Sequence, residues 1–208
     1  MLLKHLVFVI TGANRGFGKI IAETIASSIK GTKTSLILVG RDLSQLEKIQ
    51  LSNDTVSCHY IAEANLEGAK KAEDTVINKL NSMIKEWKDR DIAPITEAIL
   101  INNAGSTGDL SKKVGDYTAS EIEDYVNLNI TSYISLVNGF IGLFNTGLIK
   151  VKIVNISSLL AVQAFPNWGL YASGKSARDM LLKVIAKEEV FFFKKKEKKS
   201  ASFFVLMT

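Results

Sequence analysis

The chain has 208 residues, of which 47% are hydrophobic, 23% charged and 8% aromatic, a composition that excludes a disordered chain and predicts one folded domain. The formal net charge is +5, but a lysine-rich run at residues 194–199 carries most of it, so the rest of the sequence offers no basic face for nucleic acid. One cysteine (Cys58) and two histidines exclude a disulfide framework and the usual zinc cluster, and no apolar run approaches the roughly 18 residues that a membrane span needs. We therefore expect a cytoplasmic protein with no metal and no membrane or nucleic-acid partner.

Short apolar runs alternate with longer amphipathic stretches along the chain. The predicted strands are residues 6–10, 35–39, 56–61, 98–101 and 151–155, which are apolar throughout, as in strands covered on both faces. The predicted helices are residues 17–29, 43–51, 69–88, 121–144 and 171–189, with capping boxes at residues 42–45 and 118–121. This alternation predicts an α/β fold with a doubly wound parallel sheet, a Rossmann-like three-layer sandwich.

The composition changes after Glu189. Residues 190–199 read Val-Phe-Phe-Phe followed by the lysine-rich run, and residues 203–207 are again apolar. The last run is consistent with a sixth strand, and the whole segment is equally consistent with a non-native end. We therefore predict a single dinucleotide-binding domain over residues 1–189 and a divergent basic and apolar tail over residues 190–208.

A glycine-rich loop joins the first predicted strand to the first predicted helix. Residues 11–18 read Thr-Gly-Ala-Asn-Arg-Gly-Phe-Gly. Gly12 allows a tight turn out of the strand, Gly16 lets a pyrophosphate approach main-chain N–H groups, and Gly18 lets the helix pack close to the sheet. The N-terminus of the helix then offers free donors and a partial positive charge to phosphate. The loop therefore predicts a dinucleotide site, with a plain glycine-rich turn as the alternative.

The end of the second predicted strand indicates which dinucleotide binds. A site specific for NAD places an acid here to accept hydrogen bonds from the ribose 2′-hydroxyl. This strand instead ends in Val39, Gly40 and Arg41, and Arg41 could form a fork with a 2′-phosphate while Arg15 supplies a second cation. Asp42 follows, either as a helix N-cap or as a ribose ligand. The sequence therefore favours NADP(H).

Tyr171 and Lys175 lie four residues apart at the start of a predicted helix, so both side chains share one helical face. An ammonium beside a phenol stabilises the phenolate form, and such a tyrosine can act as a general acid towards a developing alkoxide. Ser158 follows the strand at residues 151–155, and its hydroxyl could hold a substrate carbonyl. Together with the glycine loop, the three residues predict a reductase site.

In combination, these motifs resemble the short-chain dehydrogenase/reductase family over residues 6–189. Further segments that carry the resemblance are Ile-Asn-Asn-Ala-Gly-Ser-Thr-Gly-Asp-Leu at 101–110, Leu-Asn-Ile-Thr-Ser at 128–132 and Asn-Ile-Ser-Ser at 155–158. The run Ala-Arg-Asp-Met at 177–180 is similar to the branch of the family that reduces pterin side chains.

The resemblance implies a role for each matched position. Ser158 would orient the carbonyl, Tyr171 would donate the proton, Lys175 would bond the nicotinamide ribose, and Asn129 would hold a water in a proton relay to Lys175. The residues that it assigns to NADP(H) are Gly12, Asn14, Arg15, Gly16, Phe17, Gly18, Arg41, Asp42, Asn65, Leu66, Asn103, Ala104, Gly105, Tyr171 and Lys175. The residues that it assigns to substrate are Ser158, Trp168 and Tyr171.

The implied substrates are the side-chain carbonyls of sepiapterin and 6-pyruvoyl-tetrahydropterin, on the way to tetrahydrobiopterin. Phe165 is a candidate wall of the pterin pocket or an ordinary core residue. By the same resemblance, helices 121–144 and 171–189 would form the interface of a homodimer.

The sequence departs from the family at two places. Asn65 replaces the aspartate that usually lies beside the adenine. After Glu189, neither the family's last strands nor the late aspartate that anchors a pterin is recognisable, so we expect incomplete C-terminal strands. Three alternatives follow: a general reductase of vicinal diketones, a shortened form that binds cofactor or dimerises without turnover, and a protein that binds a membrane or nucleic acid through residues 194–199.

Overall fold

The computed structural model describes residues 4–49, 53–90, 93–193 and 202–206. Its centre is a parallel sheet of six strands in the order β3-β2-β1-β4-β5-β6. The strands are β1 (His5–Thr11), β2 (Lys33–Val39), β3 (Val56–Ile61), β4 (Glu97–Asn102), β5 (Lys150–Ile156) and β6 (Ser202–Leu206). The predicted doubly wound parallel sheet is confirmed.

Seven helices connect the strands within this part of the chain. They are α1 (Gly16–Ser28), α2 (Leu43–Leu46), α3 (Ala69–Ala72), α4 (Asn78–Asp89), α5 (Ala119–Val126), α6 (Ser132–Phe144) and α7 (Gly169–Phe193). A π-helical turn at Glu73–Ile77 joins α3 to α4, and another at Asn127–Thr131 joins α5 to α6. Two 3₁₀ turns lie at Val114–Asp116 and Leu159–Ala161. No helix among the described residues is both long enough and apolar enough to cross a bilayer.

The apolar core lies on both faces of the sheet, since successive strand side chains point to opposite sides. On one face, Val7 and Val9 pack in a cluster with α4 and α6, where Phe140 and Phe144 are fully buried. On the other face, Ile10 packs in a cluster with Ala22 and Ala26 of α1 and with Leu46 and Ile49. Burying each large side chain of this kind stabilises the fold by about 1.5–3 kcal/mol. The two clusters complete the three-layer sandwich.

The second predicted helix is wrong in length and in its cap. Residues 43–51 were expected to be helical, but α2 ends at Leu46, and residues 50 and 51 lie outside the described part. Asp42 occupies the N-cap position but makes no capping hydrogen bond, and its carboxylate accepts the Ser44 hydroxyl at 2.8 Å. The capping box at Thr118 and Glu121 is present: the Thr118 N–H donates to the Glu121 carboxylate, and the Glu121 N–H donates to Thr118 Oγ1.

The C-terminal part of the chain adds one strand to the sheet. Helix α7 continues to Phe193, and β6 pairs in parallel with β5 from Lys152 to Ile156. The structure therefore contains the sixth strand that the sequence left open as an alternative to a non-native end. The lysine run at residues 194–199 lies outside the described residues, and the boundary at residue 189 stays a prediction.

Candidate active site

The site lies at the carboxyl ends of β1 and β4. The chain builds the sheet outward from β1 to β3 and then returns to place β4 on the other side of β1, and the crevice at such a reversal is where ligands bind in open α/β sheets. A cavity of about 760 Å³ opens there. Its lining comes from the glycine loop, the end of β2, the turn after β3 and the turn after β4.

The glycine loop is shaped by close packing on one side and open space on the other. A Cβ at Gly18 would lie 2.3 Å from the Gly12 carbonyl oxygen and 2.5 Å from Asn103 Nδ2, so only glycine lets α1 approach the loop this closely. Gly16 has a φ of +54° and nothing within 4 Å of an added Cβ. Asn103 Nδ2 fixes the turn by donating to the carbonyls of Thr11 and Gly12 at 3.1 and 3.2 Å.

The cavity fits a phosphorylated dinucleotide. The N-terminus of α1 faces it beside open Gly16, as a pyrophosphate requires. Arg15 and Arg41 line the same cavity next to Gly40 and offer two guanidinium groups to a 2′-phosphate.

The other residues predicted to bind the cofactor divide into two groups. The cavity is also lined by Gly12, Asn14, Leu66 and Ala104, whereas its lining does not include Asp42, Phe17 or Gly18. Asp42 therefore lies off the surface on which the sequence placed a ribose ligand.

Two acids that the sequence analysis missed also line this cavity. Glu63 has a positive φ of 57° and follows β3, and Glu67 lies four residues further on. The Lys71 ammonium, aided by Asn65, lowers the pKa of the Glu67 carboxyl below its ordinary value. Asn65 Oδ1 in turn accepts the Glu67 N–H at 2.9 Å, so the amide that replaces the usual aspartate is held in a local turn.

A second cavity, of about 310 Å³, continues from the first. Both cavities are lined by Asn103, Gly105 and Ser106, and the second adds Phe17, Thr107, Asn129, Ile156, Tyr171 and Lys175. The structure therefore brings the Tyr171–Lys175 pair to the same continuous crevice as the glycine loop. That juxtaposition is what the separate sequence motifs predicted.

The tyrosine and the lysine lie side by side at the base of α7. Lys175 Nζ is 5.3 Å from the centre of the Tyr171 ring and donates a hydrogen bond to the Ile156 carbonyl at the end of β5. Burial lowers the pKa of Lys175 to about 8, and the nearby positive charge of Arg178 adds to this effect. The edge of the Trp168 ring packs on Tyr171 with 5.3 Å between ring centres. An ammonium and an indole are thus both held next to the phenol.

Two predicted substrate residues lie outside the lining of the smaller cavity. Ser158 is 9% exposed and begins the 3₁₀ turn after β5, where its hydroxyl accepts the Leu160 N–H at 3.3 Å. Trp168 contributes through its contact with Tyr171. Phe165 is exposed, which excludes the alternative that it is a core residue.

Asn129 is buried within the π-helical turn between α5 and α6. Its Oδ1 accepts the Ser106 N–H at 2.9 Å, and its Nδ2 donates to the Tyr125 carbonyl at 3.1 Å. The main-chain oxygen of Asn129 accepts a hydrogen bond of 2.6 Å from Arg178 Nε. The π-helical turn at Asn127–Thr131 interrupts the regular α-helical ladder of hydrogen bonds at this position.

Arg178 and Asp179 were read in the sequence only as part of a family motif, and both are nearly fully buried. Helical spacing gives a signal for the arginine, because positions 178, 182 and 185 fall on one stripe and the other two are the buried Leu182 and Ile185. A charged residue in a buried stripe needs partners at hydrogen-bond distance. The helical spacing of Arg178 relative to Leu182 and Ile185 therefore predicts that this arginine is buried.

Comparison with known proteins agrees with this geometry. A sequence model of the family described as short chain dehydrogenase matches residues 6–190. Sepiapterin reductase of Rattus norvegicus is 37% identical over 188 residues, covering 88% of this chain and 69% of that protein. Benzil reductase ((S)-benzoin forming) of Bacillus subtilis is 28% identical, covering 88% and 67%. A solved short-chain dehydrogenase from Sphingobium yanoikuyae in complex with NADPH superposes with a TM-score of 0.63 at 25% identity, covering 88% of this chain and 64% of that one.

Proposed function

The chain belongs to the short-chain dehydrogenase family, and we propose that it is an NADPH-dependent reductase of carbonyl groups on a pterin side chain. Membership of the family confirms the resemblance drawn from the glycine loop and the Tyr171–Lys175 pair. The proposal extends that membership to a cofactor, a substrate and roles for individual residues.

One observation carries the proposal. Tyr171 and Lys175 face a cavity that is continuous with the one lined by the glycine loop, through the shared residues Asn103, Gly105 and Ser106. A dinucleotide whose phosphates lie on the loop would extend along this crevice and bring its nicotinamide beside the tyrosine. Bound NADPH supplies a hydride to the substrate carbon, and the protein supplies position and a proton.

The residues of this chain would divide the work along the crevice. Main-chain N–H groups at Gly16 would hold the pyrophosphate, and Arg15 and Arg41 would hold the 2′-phosphate. Lys175, fixed by its bond to the Ile156 carbonyl, would bind the nicotinamide ribose. The adenine would lie against Asn65 and Leu66.

Proton transfer would come from Tyr171. As the carbonyl is reduced, its oxygen gains negative charge, and the Tyr171 hydroxyl would give up its proton to that oxygen. The adjacent Lys175 ammonium stabilises the phenolate that remains. Ser158, 13 residues upstream, would orient the carbonyl by a hydrogen bond.

Similarity to sepiapterin reductases supports a pterin as the substrate. The two carbonyls of a 6-pyruvoyl side chain would be reduced on the way to tetrahydrobiopterin in the cytoplasm. Phe165 and Trp168 stand before the catalytic helix and offer aromatic surfaces to a flat pterin ring. A homodimer is part of the same proposal, supported by exposed Ile122, Ile134, Met180 and Val184 on the two helical segments assigned to the interface.

A second candidate is the reduction of aromatic vicinal diketones. Leu159 and Val162, between Ser158 and Trp168, are 51% and 66% exposed. Such an apolar rim suits a substrate without the polar ring of a pterin, and benzil reductase is among the relatives.

The test compares purified wild type with Tyr171→Phe, using NADPH with sepiapterin or with benzil and following NADPH oxidation by absorbance. We expect turnover of sepiapterin by the wild type and a loss of about 10³-fold in Tyr171→Phe, as general acid catalysis contributes roughly 10²–10⁴-fold. Tyr60→Phe in β3 is the matched control and should retain full turnover. Folded wild type that binds NADPH but reduces neither substrate would contradict the proposal and favour a form that binds cofactor without turnover. A preference for benzil would favour the second candidate.

A further inference from the structure

Arg178 is a buried cation on the helix that carries Tyr171 and Lys175. The residue is only 2% exposed, and its guanidinium lies 4.9 Å from the centre of the Tyr133 ring. Burying a guanidinium is costly unless its donors are satisfied. We therefore expect each donor of this arginine, which lies within one helical turn of Lys175, to have an acceptor.

The donors of Arg178 go to the two segments that wall the smaller cavity. Nε donates to the Asn129 carbonyl at 2.6 Å, Nη1 donates to the Ala104 carbonyl at 3.0 Å, and Nη2 reaches Asn129 Oδ1 at 3.4 Å. Gly105 leaves room for this arrangement, since an added Cβ would lie 3.0 Å from Asn129 Oδ1 and 3.4 Å from both Nη atoms. The guanidinium thus ties the turn after β4 and the π-helical turn to α7.

The acid next in sequence is engaged elsewhere. The Asp179 carboxylate accepts hydrogen bonds from Asn155 Nδ2, at 2.6 Å, and from the Ser157 hydroxyl, both on the β5 side. The hydrogen bonds of Arg178 end on neutral carbonyl and amide oxygens. No carboxylate among the described residues forms an ion pair with the guanidinium, so its charge acts on the groups around it.

The titratable groups that feel this charge come from three elements. Lys175, Tyr171 and Asp179 are on α7, Tyr125 is on α5, and Tyr133 is on α6. After burial, the positive charge of Arg178 is the largest influence that lowers the pKa of Lys175, and Asp179 acts in the opposite direction. Removing one or the other charge should therefore move the titration of Lys175 in opposite directions.

We propose that Arg178 is a positioning residue, which fixes Ala104 and Asn129 against α7 and places a permanent positive charge beside the Lys175 ammonium. Its value to catalysis rests on the proposed function, but its action on Lys175 does not require turnover. The main-chain oxygen of Asn129 is held by Arg178, so the π-helical turn and the catalytic helix act as one rigid unit around the cavity.

The test measures the titration of Lys175 directly. Protein labelled with ¹³C at lysine Cε is titrated by NMR, and the signal of Lys175 is identified by its loss in Lys175→Arg. Arg178→Gln removes the charge and keeps a donor, and we expect the titration midpoint of Lys175 to rise by about one pH unit. Asp179→Asn, the matched change at the neighbouring position, should lower the midpoint. NADPH affinity, measured by fluorescence, should weaken about tenfold in Arg178→Gln because Ala104 and Gly105 are no longer fixed.

A purely structural role for Arg178 would reduce stability without moving the titration of Lys175. An unchanged midpoint in folded Arg178→Gln would therefore overturn the proposal, and so would shifts of the same sign in the two variants. If Arg178→Gln does not fold, Arg178→Met replaces it, because methionine fills a similar volume without charge. The titration midpoint of Lys175 should rise in that variant too. A wild type inactive on sepiapterin would sink the proposed function, while the midpoint shifts would still decide this inference.

Discussion

The two edges of the sheet both bury polar side chains, but they use different chemistry. At the carboxyl edge, the cations Lys175 and Arg178 are held by main-chain oxygens of Ile156, Ala104 and Asn129. Lys175 lines the smaller cavity, where its charge can act on a bound molecule, and Arg178 binds two of the segments that wall that cavity. Burial removes water from these cations and disfavours their charged forms, which lowers the pKa of Lys175.

Towards the amino ends of the strands, the buried His5 and Ser35 are neutral and bind each other and the more exposed Ser57 and His59. His5 Nε2 is 3.0 Å from Ser35 Oγ, which is 3.2 Å from Ser57 Oγ, which is 3.2 Å from His59 Nε2. Both imidazoles pack near the Trp87 ring, at 5.8 and 4.8 Å between ring centres. This row joins β1, β2 and β3 side by side.

Buried polar side chains therefore have two uses in one sheet. The neutral row satisfies its own donors and acceptors, so we expect it to stabilise the fold and leave turnover unaffected. The charged edge is held at a cost to stability, so we expect its residues to matter more for activity than for folding.

The largest expected effect comes from Lys175→Met. Turnover should fall by about 10³-fold, because the ammonium beside Tyr171 is lost. The folded-state pKa of Lys175 lies below its ordinary value of 10.5, so its stabilising share is complete only above that pH and is lost as the pH falls from there to about 8. At pH 7 the substitution should therefore raise the free energy of unfolding, by about 1 kcal/mol, when measured by urea denaturation.

The exposed Lys85 of α4 supplies the control for this experiment. Lys85→Met should leave turnover unchanged and the free energy of unfolding within about 0.5 kcal/mol of the wild type. A marked loss of stability in Lys175→Met, larger than its loss of turnover expressed as free energy, would erase the distinction between the two edges.

The next effect concerns packing beneath the glycine loop. Gly18→Ala would place a Cβ 2.3 Å from the Gly12 carbonyl oxygen, so the loop and α1 must move apart. Overpacking of this kind costs about 1–3 kcal/mol of unfolding free energy. Gly142→Ala in α6 meets nothing within 4 Å and should be neutral or stabilising by up to about 1 kcal/mol. Thermal denaturation of the two variants gives the comparison, and equal melting temperatures would show that the close approach at Gly18 is unimportant.

Much of the carboxyl edge could be predicted from the sequence, because its signals are local. The glycines at 12, 16 and 18 and the four-residue spacing of Tyr171 and Lys175 each report their geometry within one turn. The six-residue strand 56–61 matches the observed β3. Patterns of this kind depend on neighbours along the chain, which a single sequence shows directly.

The parts that could not be predicted depend on contacts between distant segments. Arg178 meets Ala104 and Asn129, which lie 74 and 49 residues away in the chain. The row from His5 to His59 forms only because the strands pair in one register, with Ser35 opposite Ser57. The early end of α2 at Leu46 has no signal in the residue types around it.

The smallest expected effect separates the two edges by pH. Burial lowers the pKa of both His5 and His59 below the ordinary value. The unfolded chain therefore takes up protons first, near pH 6.5, and the stability contributed by the neutral imidazoles is lost as the pH falls below that value. Between pH 7 and pH 5.5, we expect a decrease of less than about 1 kcal/mol, since both groups are partly screened by solvent.

Chemical denaturation of the double variant His5→Gln and His59→Gln at these two pH values tests the assignment. The decrease should shrink in the double variant and persist in Lys175→Met, because the lysine that this variant lacks titrates on the alkaline side of neutrality. Turnover of the double variant at pH 7 should match the wild type, because the row from His5 to His59 does not line either cavity. If Lys175→Met removed the acid-side decrease while the histidine variant kept it, the carboxyl edge would govern stability in both pH ranges.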